Sequence, residues 1–129
     1  ERLNQYNKLG DLKTEEELQK YQSELEDRFG ELPIQVVDLL DSVRIKWIAK
    51  KLGMERLILK RNRMIGYFVS NQQSSFYQSS DFNSILQFVQ SNAKLCTMKE
   101  KETKNGLRLL LSFDNINSIN KALSMLQKI

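Results

Sequence analysis

The hydrophobic pattern of the chain changes its period after Gly53, from one typical of helices to one typical of strands. In the first part, Thr14 reads as an N-cap with Glu17 three residues later, which predicts the start of a helix. Apolar residues then recur at i, i+3, i+7 and i+11 and predict one buried stripe along that helix. The stripe consists of Leu18, Tyr21, Leu25 and Phe29.

Two more helices are predicted before the change of period. Residues 1–9 read as the tail of a helix that continues from a preceding part of a larger polypeptide, because the chain opens at Glu1 without a methionine. The longest helix is predicted from Pro33 to about Leu52, where apolar residues wrap around more than one face. This helix is therefore expected to pack on two sides.

Alternating segments beyond that helix predict two β-hairpins. They span residues 56–69, with a turn around residues 61–63, and residues 95–113, with a turn at Asn105-Gly106 where positive φ is tolerated. Together with the helices, the predicted order is α-α-α-β-β-α-β-β-α. Because there is no βαβ alternation, we predict an α+β fold with an antiparallel sheet of about four strands covered by helices on one side. We predict one domain over residues 1–129.

The connections between these elements carry capping and aromatic signals. The Ser- and Gln-rich stretch between the hairpins is predicted to be a loop that buries Phe76 and Tyr77. Asp81 is predicted to cap the short helix that follows, and Asp114 or Asn115 to cap the last helix.

Composition argues against an enzyme. The chain has no histidine, which removes the commonest general base and metal ligand, and no nucleotide-binding or nucleophile motif. Its one cysteine, Cys96, cannot form an internal disulfide, and no run approaches the roughly 20 apolar residues of a membrane span. We therefore predict a cytoplasmic protein with no membrane contact and no cofactor or metal of its own. A small enzyme without a known motif is the least favoured alternative.

Charge is distributed unevenly along the chain. Residues 11–41 contain ten acids and three bases, whereas residues 44–63 contain eight bases and one acid. Such asymmetry is informative about partners and not about fold. On the predicted helix after Thr14, the charged positions that point away from the apolar stripe form a narrow sector. These candidate binding residues are Glu17, Lys20, Glu24, Asp27 and Glu31.

Within this sector, Glu24 and Asp27 are i, i+3 neighbours whose carboxylates could together bind one arginine or lysine of a partner. The alternative is a solvated helix face with an internal Glu24–Arg28 pair, worth about 0.3–0.5 kcal/mol. The residues alone leave both interpretations open.

A corner is predicted where this helix meets the longest one. Arg28 and Phe29 precede Gly30, which can adopt positive φ past a helix end, and Pro33 suits the first turn of the next helix. The segment ELEDRFGELP, with a tyrosine-containing helix before it and the sequence KLGM after the long helix, resembles the C-terminal domain of bacterial transcription-repair coupling factors. The resemblance covers roughly the first half of the chain. The sequence departs from the family after Tyr6, where Asn-Lys-Leu-Gly stands in place of the usual basic pair.

The resemblance implies a regulatory role within a multidomain DNA translocase. Such a domain is implied to dock on the N-terminal repair-helicase-like domain of the same protein and to mask the surface that recruits the damage-recognition ATPase of excision repair. Glu24 and Asp27 match the acidic positions that are implied to meet basic residues there, and Arg28, Phe29 and Gly30 are implied to shape the corner. The parent protein is implied to bind RNA polymerase and DNA, and to use ATP and Mg²⁺ in motor domains outside this chain.

A nucleic-acid-binding domain is the second interpretation. Lys60, Arg61 and Arg63 crowd the predicted tip of the first hairpin, within residues 56–63, and Tyr67 and Phe68 follow on the next strand. Basic turns beside aromatic rings can contact a phosphate backbone and stacked bases. Basic residues also commonly protect hairpin edges, so this pattern has low specificity.

Overall fold

The computed structural model describes residues 9–129, so the helix tail predicted at residues 1–9 lies outside the described residues except for its last position. After a helical turn at residues 9–11, α1 spans Glu15–Phe29 and α2 spans Ile34–Lys51. Thr14 caps α1 as predicted, since its hydroxyl accepts a hydrogen bond from the Glu17 backbone N–H at 3.1 Å.

The predicted corner between α1 and α2 is confirmed. Gly30 ends α1 with φ 76° and ψ −155°, and its N–H donates to the Glu26 carbonyl at 2.8 Å. These backbone angles lie in a region that is essentially restricted to glycine. Pro33 directly precedes α2, and its carbonyl accepts the N–H groups of Val36 and Val37. Proline has no N–H to leave unpaired at this helix start.

The chain divides between Arg44 and Ile45, inside α2, into two compact units. In the first unit Leu18, Tyr21, Leu25 and Leu40 are buried. Phe29 was predicted to complete the buried stripe, and this is wrong because its side chain is 56% exposed. Helical periodicity gives the direction of a side chain, but not how far along the helix other residues cover it.

The second unit contains a four-stranded sheet. Its elements are β1 (Met54–Lys60), β2 (Arg63–Phe68), a 3-10 turn (Ser75–Gln78), α3 (Ser80–Ser91), β3 (Cys96–Thr103), β4 (Gly106–Asp114) and α4 (Ile119–Gln127). The strands are antiparallel in the order β1-β2-β4-β3, which confirms the α+β prediction. Side chains from the end of α2, from α3 and from α4 form a core with one face of the sheet, including Leu52, Ile85, Leu123, Phe68 and Leu111.

The 3-10 turn brings aromatic rings to the core, as predicted. Phe76 packs against Phe68 with ring centroids 6.1 Å apart, and Tyr77 lies edge-on to Phe82 at 5.1 Å. The Tyr77 hydroxyl donates a hydrogen bond to the Val69 carbonyl. Stacked and edge-to-face ring pairs of this kind stabilise the core beyond the area that the rings bury.

Turns and caps differ from the predictions by a few residues. The first hairpin turns at Arg61-Asn62, with φ 54° and 61°, so that Arg63 already belongs to β2. Both central residues of a type I′ hairpin turn need positive φ, which Asn tolerates well. The second turn occupies residues 104–105, and Gly106 opens β4.

The predicted caps of the last two helices are wrong. Serine hydroxyls perform this role: Ser79 accepts the Phe82 N–H in α3 and Ser118 accepts the Lys121 N–H in α4. Asp81 instead lies in the first turn of α3, and Asp114 is the last residue of β4. Both helices therefore begin at positions where a short hydroxyl side chain reaches the free N–H groups.

Candidate functional site

The acidic sector predicted on α1 is exposed in the structure. Glu17, Lys20, Glu24 and Asp27 are exposed, and Glu31 is exposed just beyond the helix end. The residues that α1 buries, Leu18, Tyr21 and Leu25, point elsewhere around the helix. The named charged side chains thus form one solvent-facing surface, which we call the acidic face.

Glu24 and Asp27 make no ion pair or side-chain hydrogen bond within residues 9–129. The alternative Glu24–Arg28 pair is not formed, because the Arg28 guanidinium lies over the Phe29 ring at 5.2 Å from its centroid. Burial raises the pKa of Tyr21. The Arg28 charge lowers this pKa, and the Glu24 charge raises it, by smaller amounts. The two carboxylates therefore keep their capacity to accept hydrogen bonds from a partner.

Two large apolar side chains are exposed on either side of the corner. Phe29 is 56% exposed at the end of α1 and Ile34 is 63% exposed at the start of α2. The sequence had predicted Phe29 to be part of the buried stripe of α1. Exposed aromatic and aliphatic groups beside charged residues are typical of the anchors of protein interfaces. The corner thus exposes apolar area at the end of the helix that carries the acidic face.

An ion-pair network that sequence reasoning missed lies in the same unit. The Arg44 guanidinium donates from Nε and Nη2 to the Glu15 carboxylate, at 2.7 and 2.8 Å, and from Nη1 to Asp41 Oδ1 at 2.8 Å. This hydrogen bonding lowers the pKa of Glu15 and raises that of Arg44. Because Glu15 and Arg44 are 29 residues apart, only the i, i+3 relation of Asp41 and Arg44 was visible as a local signal. The network stabilises α1 against α2.

The predicted basic hairpin is present, with Lys60, Arg61 and Arg63 exposed at its tip. Arg63 is not free, since its Nε lies 3.2 Å from Asp114 Oδ1 on β4. The tip therefore offers fewer unpaired cations than the sequence suggested.

Groups that could support chemistry are scarce among the described residues. Cys96 is buried, and burial raises the pKa of its thiol, so it is a poor nucleophile. Over residues 9–129 no three Cys, Asp or Glu side chains come together as a metal site would need. No helix in the same range combines the length and apolarity required to span a membrane.

Comparisons with known proteins place these features in a family context. A family model described as the TRCF domain matches residues 1–79, which include the acidic face and the corner. Transcription-repair-coupling factors of Rickettsia prowazekii and Staphylococcus epidermidis are 31% and 35% identical to the chain, over 125 and 115 residues. These alignments cover 96% and 82% of the chain but only 10% of each relative, so the chain spans about a tenth of their length.

A solved structure supports the fold. The crystal structure of a C-terminal domain of transcription-repair coupling factor superposes with a TM-score of 0.66, covering 98% of this chain and 78% of that one. The two sequences are 22% identical, so this likeness shows the fold alone.

Proposed function

The chain belongs to the TRCF domain family, and from this membership we propose that residues 1–129 act as one non-catalytic regulatory domain of a transcription-repair coupling factor. In this proposal the acidic face docks on the N-terminal repair-helicase-like domain of the same protein. Docking holds the protein in a repressed state, in which the surface that recruits the damage-recognition ATPase is masked.

One observation carries the proposal: Glu24 and Asp27 are exposed neighbours that lack an ionic partner among the described residues. An arginine of a partner can bind two adjacent carboxylates with charge-assisted hydrogen bonds, which are about twice as strong as neutral ones. Phe29 and Ile34 expose apolar area at the corner that follows α1. A docking surface of this composition combines electrostatic specificity with a desolvated contact.

Because both domains belong to one polypeptide, a weak contact between them is enough to keep most of the protein in the docked state. Two domains of one polypeptide meet at an effective concentration on the order of 1 mM, so a Kd of about 100 μM would keep the protein about 90% closed. Reversing that ratio needs a roughly 100-fold change, or about 2.7 kcal/mol. Engagement of the parent protein with RNA polymerase or DNA supplies this energy in our proposal. The ATP-dependent translocase and its Mg²⁺ belong to the other domains.

The test is a calorimetric titration of this chain with the isolated N-terminal domain from the same organism, at low and moderate salt. We expect Glu24→Gln/Asp27→Asn to weaken binding by about tenfold or more, since the loss of even one close interfacial charge pair costs at least about 1.5 kcal/mol. The matched control is Glu100→Gln/Glu102→Gln, which removes two exposed carboxylates from β3.

The control should bind as the unmodified chain does. Equal affinity of both double variants would mean that the acidic face is only solvated and would refute docking through it. A Phe29→Ser variant that keeps full affinity would remove the corner from the interface and leave the carboxylates as the only contact.

A further inference from the structure

The face of the sheet opposite the core formed with α3, α4 and the end of α2 has a distinct composition. Met64 and Phe68 of β2 are buried in the core, so the alternate residues Arg63, Ile65 and Tyr67 point to the opposite side. Antiparallel register places residues of the other strands beside them. Together they form what we call the outer face: Arg56, Ile58, Lys60, Arg63, Ile65, Tyr67, Thr97, Lys99, Lys101, Arg108, Leu110, Ser112 and Asp114.

Cations dominate the outer face. It carries six, namely Arg56, Lys60, Arg63, Lys99, Lys101 and Arg108. Two of these are paired, Arg63 with Asp114 at 3.2 Å and Arg108 with Glu55 at 2.7 Å, which leaves four without an ion pair in the described part of the chain. The acids of β3 do not reduce this charge, because Glu100 and Glu102 alternate with its lysines and point to the other side of the sheet.

The cations lie at the rim, and an apolar band lies between them. One row across the sheet runs Arg56, Tyr67, Leu110, Lys99, and the next runs Ile58, Ile65, Ser112, Thr97. Ile58, Ile65 and Tyr67 are half-buried and do not belong to the core on the opposite side. Leu110 and Ser112 in the same rows are buried, with 7% and 6% exposure, so the accessible part of the band lies on β1 and β2. The Arg108 guanidinium lies over the Tyr67 ring, 5.6 Å from its centroid.

We propose that the outer face binds single-stranded nucleic acid, with phosphates on the rim cations and bases on the band around Tyr67. Four strands spaced about 4.8 Å apart give a platform about 14 Å wide, and six residues of β4 give about 20 Å of length. A platform of this size accommodates a few nucleotides. Aromatic rings and guanidinium planes are the groups on which unpaired bases stack, so the Tyr67–Arg108 pair fits this ligand.

The band distinguishes this ligand from other polyanions. A duplex presents phosphates to a flat surface and would leave the apolar band uncovered. An acidic protein segment would pair with the cations but would not require a stacking ring. This site lies within residues 45–129 and is independent of the docking function proposed for α1.

The experiment is a fluorescence anisotropy titration of a labelled oligothymidylate of about 12 nucleotides with the full chain, over a series of salt concentrations. In Lys99→Gln/Lys101→Gln, the loss of two phosphate contacts should reduce the salt slope by about 1.4 and weaken binding by about 25-fold at about 0.1 M salt. Tyr67→Leu should weaken binding by about fivefold or more through the lost stacking.

The matched control is Lys121→Gln/Lys128→Gln. It removes two exposed lysines at α4, whose Ala122 and Leu123 pack on the other side of the sheet. Affinity within about twofold of the unmodified chain is expected for it.

Several results would overturn the proposal. The first is an equal loss of affinity for the oligothymidylate in the two lysine double variants. The second is an unchanged affinity of Tyr67→Leu, and the third is a duplex of the same length that binds as tightly as the single strand. Poly-L-glutamate binding as tightly as the oligothymidylate would assign the outer face to an acidic protein instead. Because Lys99 and Lys101 are exposed, their replacement keeps the test informative even if Tyr67→Leu does not fold.

Discussion

Replacement of Arg44 by methionine tests whether its network holds the first unit together. Arg44 donates to Glu15 through both Nε and Nη2 and to Asp41 through Nη1, and its side chain is only 17% exposed. Methionine keeps most of the aliphatic length and removes every donor. The change thus isolates the charge and the hydrogen bonds from the packing of the side chain.

The magnitude follows from the exposure of the two acceptors. The Glu15 side chain is 50% exposed, so losing its partner costs up to about 1 kcal/mol. The Asp41 side chain is 10% exposed, and a carboxylate left without a partner at such a site costs about 1–3 kcal/mol. We therefore expect Arg44→Met to lower the free energy of unfolding by about 2–3 kcal/mol. This is less than the loss for a fully buried pair.

The assay is urea denaturation at low ionic strength, followed by far-UV circular dichroism and by the fluorescence of Trp47, the only tryptophan. Arg56→Met is the matched control, since Arg56 is exposed and has no ion pair in the described residues. It should change the free energy of unfolding by less than about 0.5 kcal/mol.

A double variant shows which acceptor matters. Arg44→Met/Asp41→Leu leaves only the half-exposed Glu15 carboxylate without its partner, and no buried one, so it should regain much of the lost stability. If Arg44→Met is as stable as Arg56→Met, the network contributes nothing, and the reasoning from burial is refuted. If the double variant is no better than the single one, the orphaned Asp41 is not the source of the loss.

Two further predictions concern pH and the corner. Arg44 lowers the pKa of Glu15 below its ordinary value of 4.5, so the stabilisation from Glu15 is fully present above pH 4.5 and is lost as the pH falls through the lower folded-state pKa. The difference in the free energy of unfolding between the unmodified chain and Glu15→Gln, measured by urea denaturation, should be constant from pH 7 to about pH 5 and should become smaller below that pH. A difference that stays constant at lower pH would contradict the prediction. Gly30→Ala should cost about 1–3 kcal/mol in the same assay, because φ is 76° there although a Cβ would meet nothing within 4 Å. Gly10→Ala, which also meets nothing within 4 Å and has no positive φ, should be neutral or stabilising, and equal effects of the two would exclude backbone strain as the cause.

Local signals determined the helix ends near the corner. The Thr14 cap, the Gly30 turn and the start of α2 after Pro33 were all predictable, because the groups that satisfy a helix end lie within about four residues of it. The two hairpins were predictable for a similar reason, since strand alternation and turn residues are local. The α+β class followed from the order of these elements.

For α3 and for α4, the sequence offers two residues that are equally suited to be the N-cap. Asp81 and Ser79 are both good N-cap residues, as are Asp114 and Ser118. Which one caps depends on where the preceding chain leaves the sheet, and the structure selects the serines. Periodicity likewise could not show that Phe29 would be exposed.

The sequence by itself determined the elements, their order and the segregation of acids into α1 and bases after it. Only the tertiary structure decided which distant side chains come together. Arg44 pairs with Glu15 across 29 residues, and Lys99 and Tyr67 fall in one row on the same face of the sheet through the order β1-β2-β4-β3. The physical reason is the distance along the chain over which each interaction acts. Backbone hydrogen bonding and periodicity act over a few residues, whereas burial and charge pairing depend on which distant segments pack together.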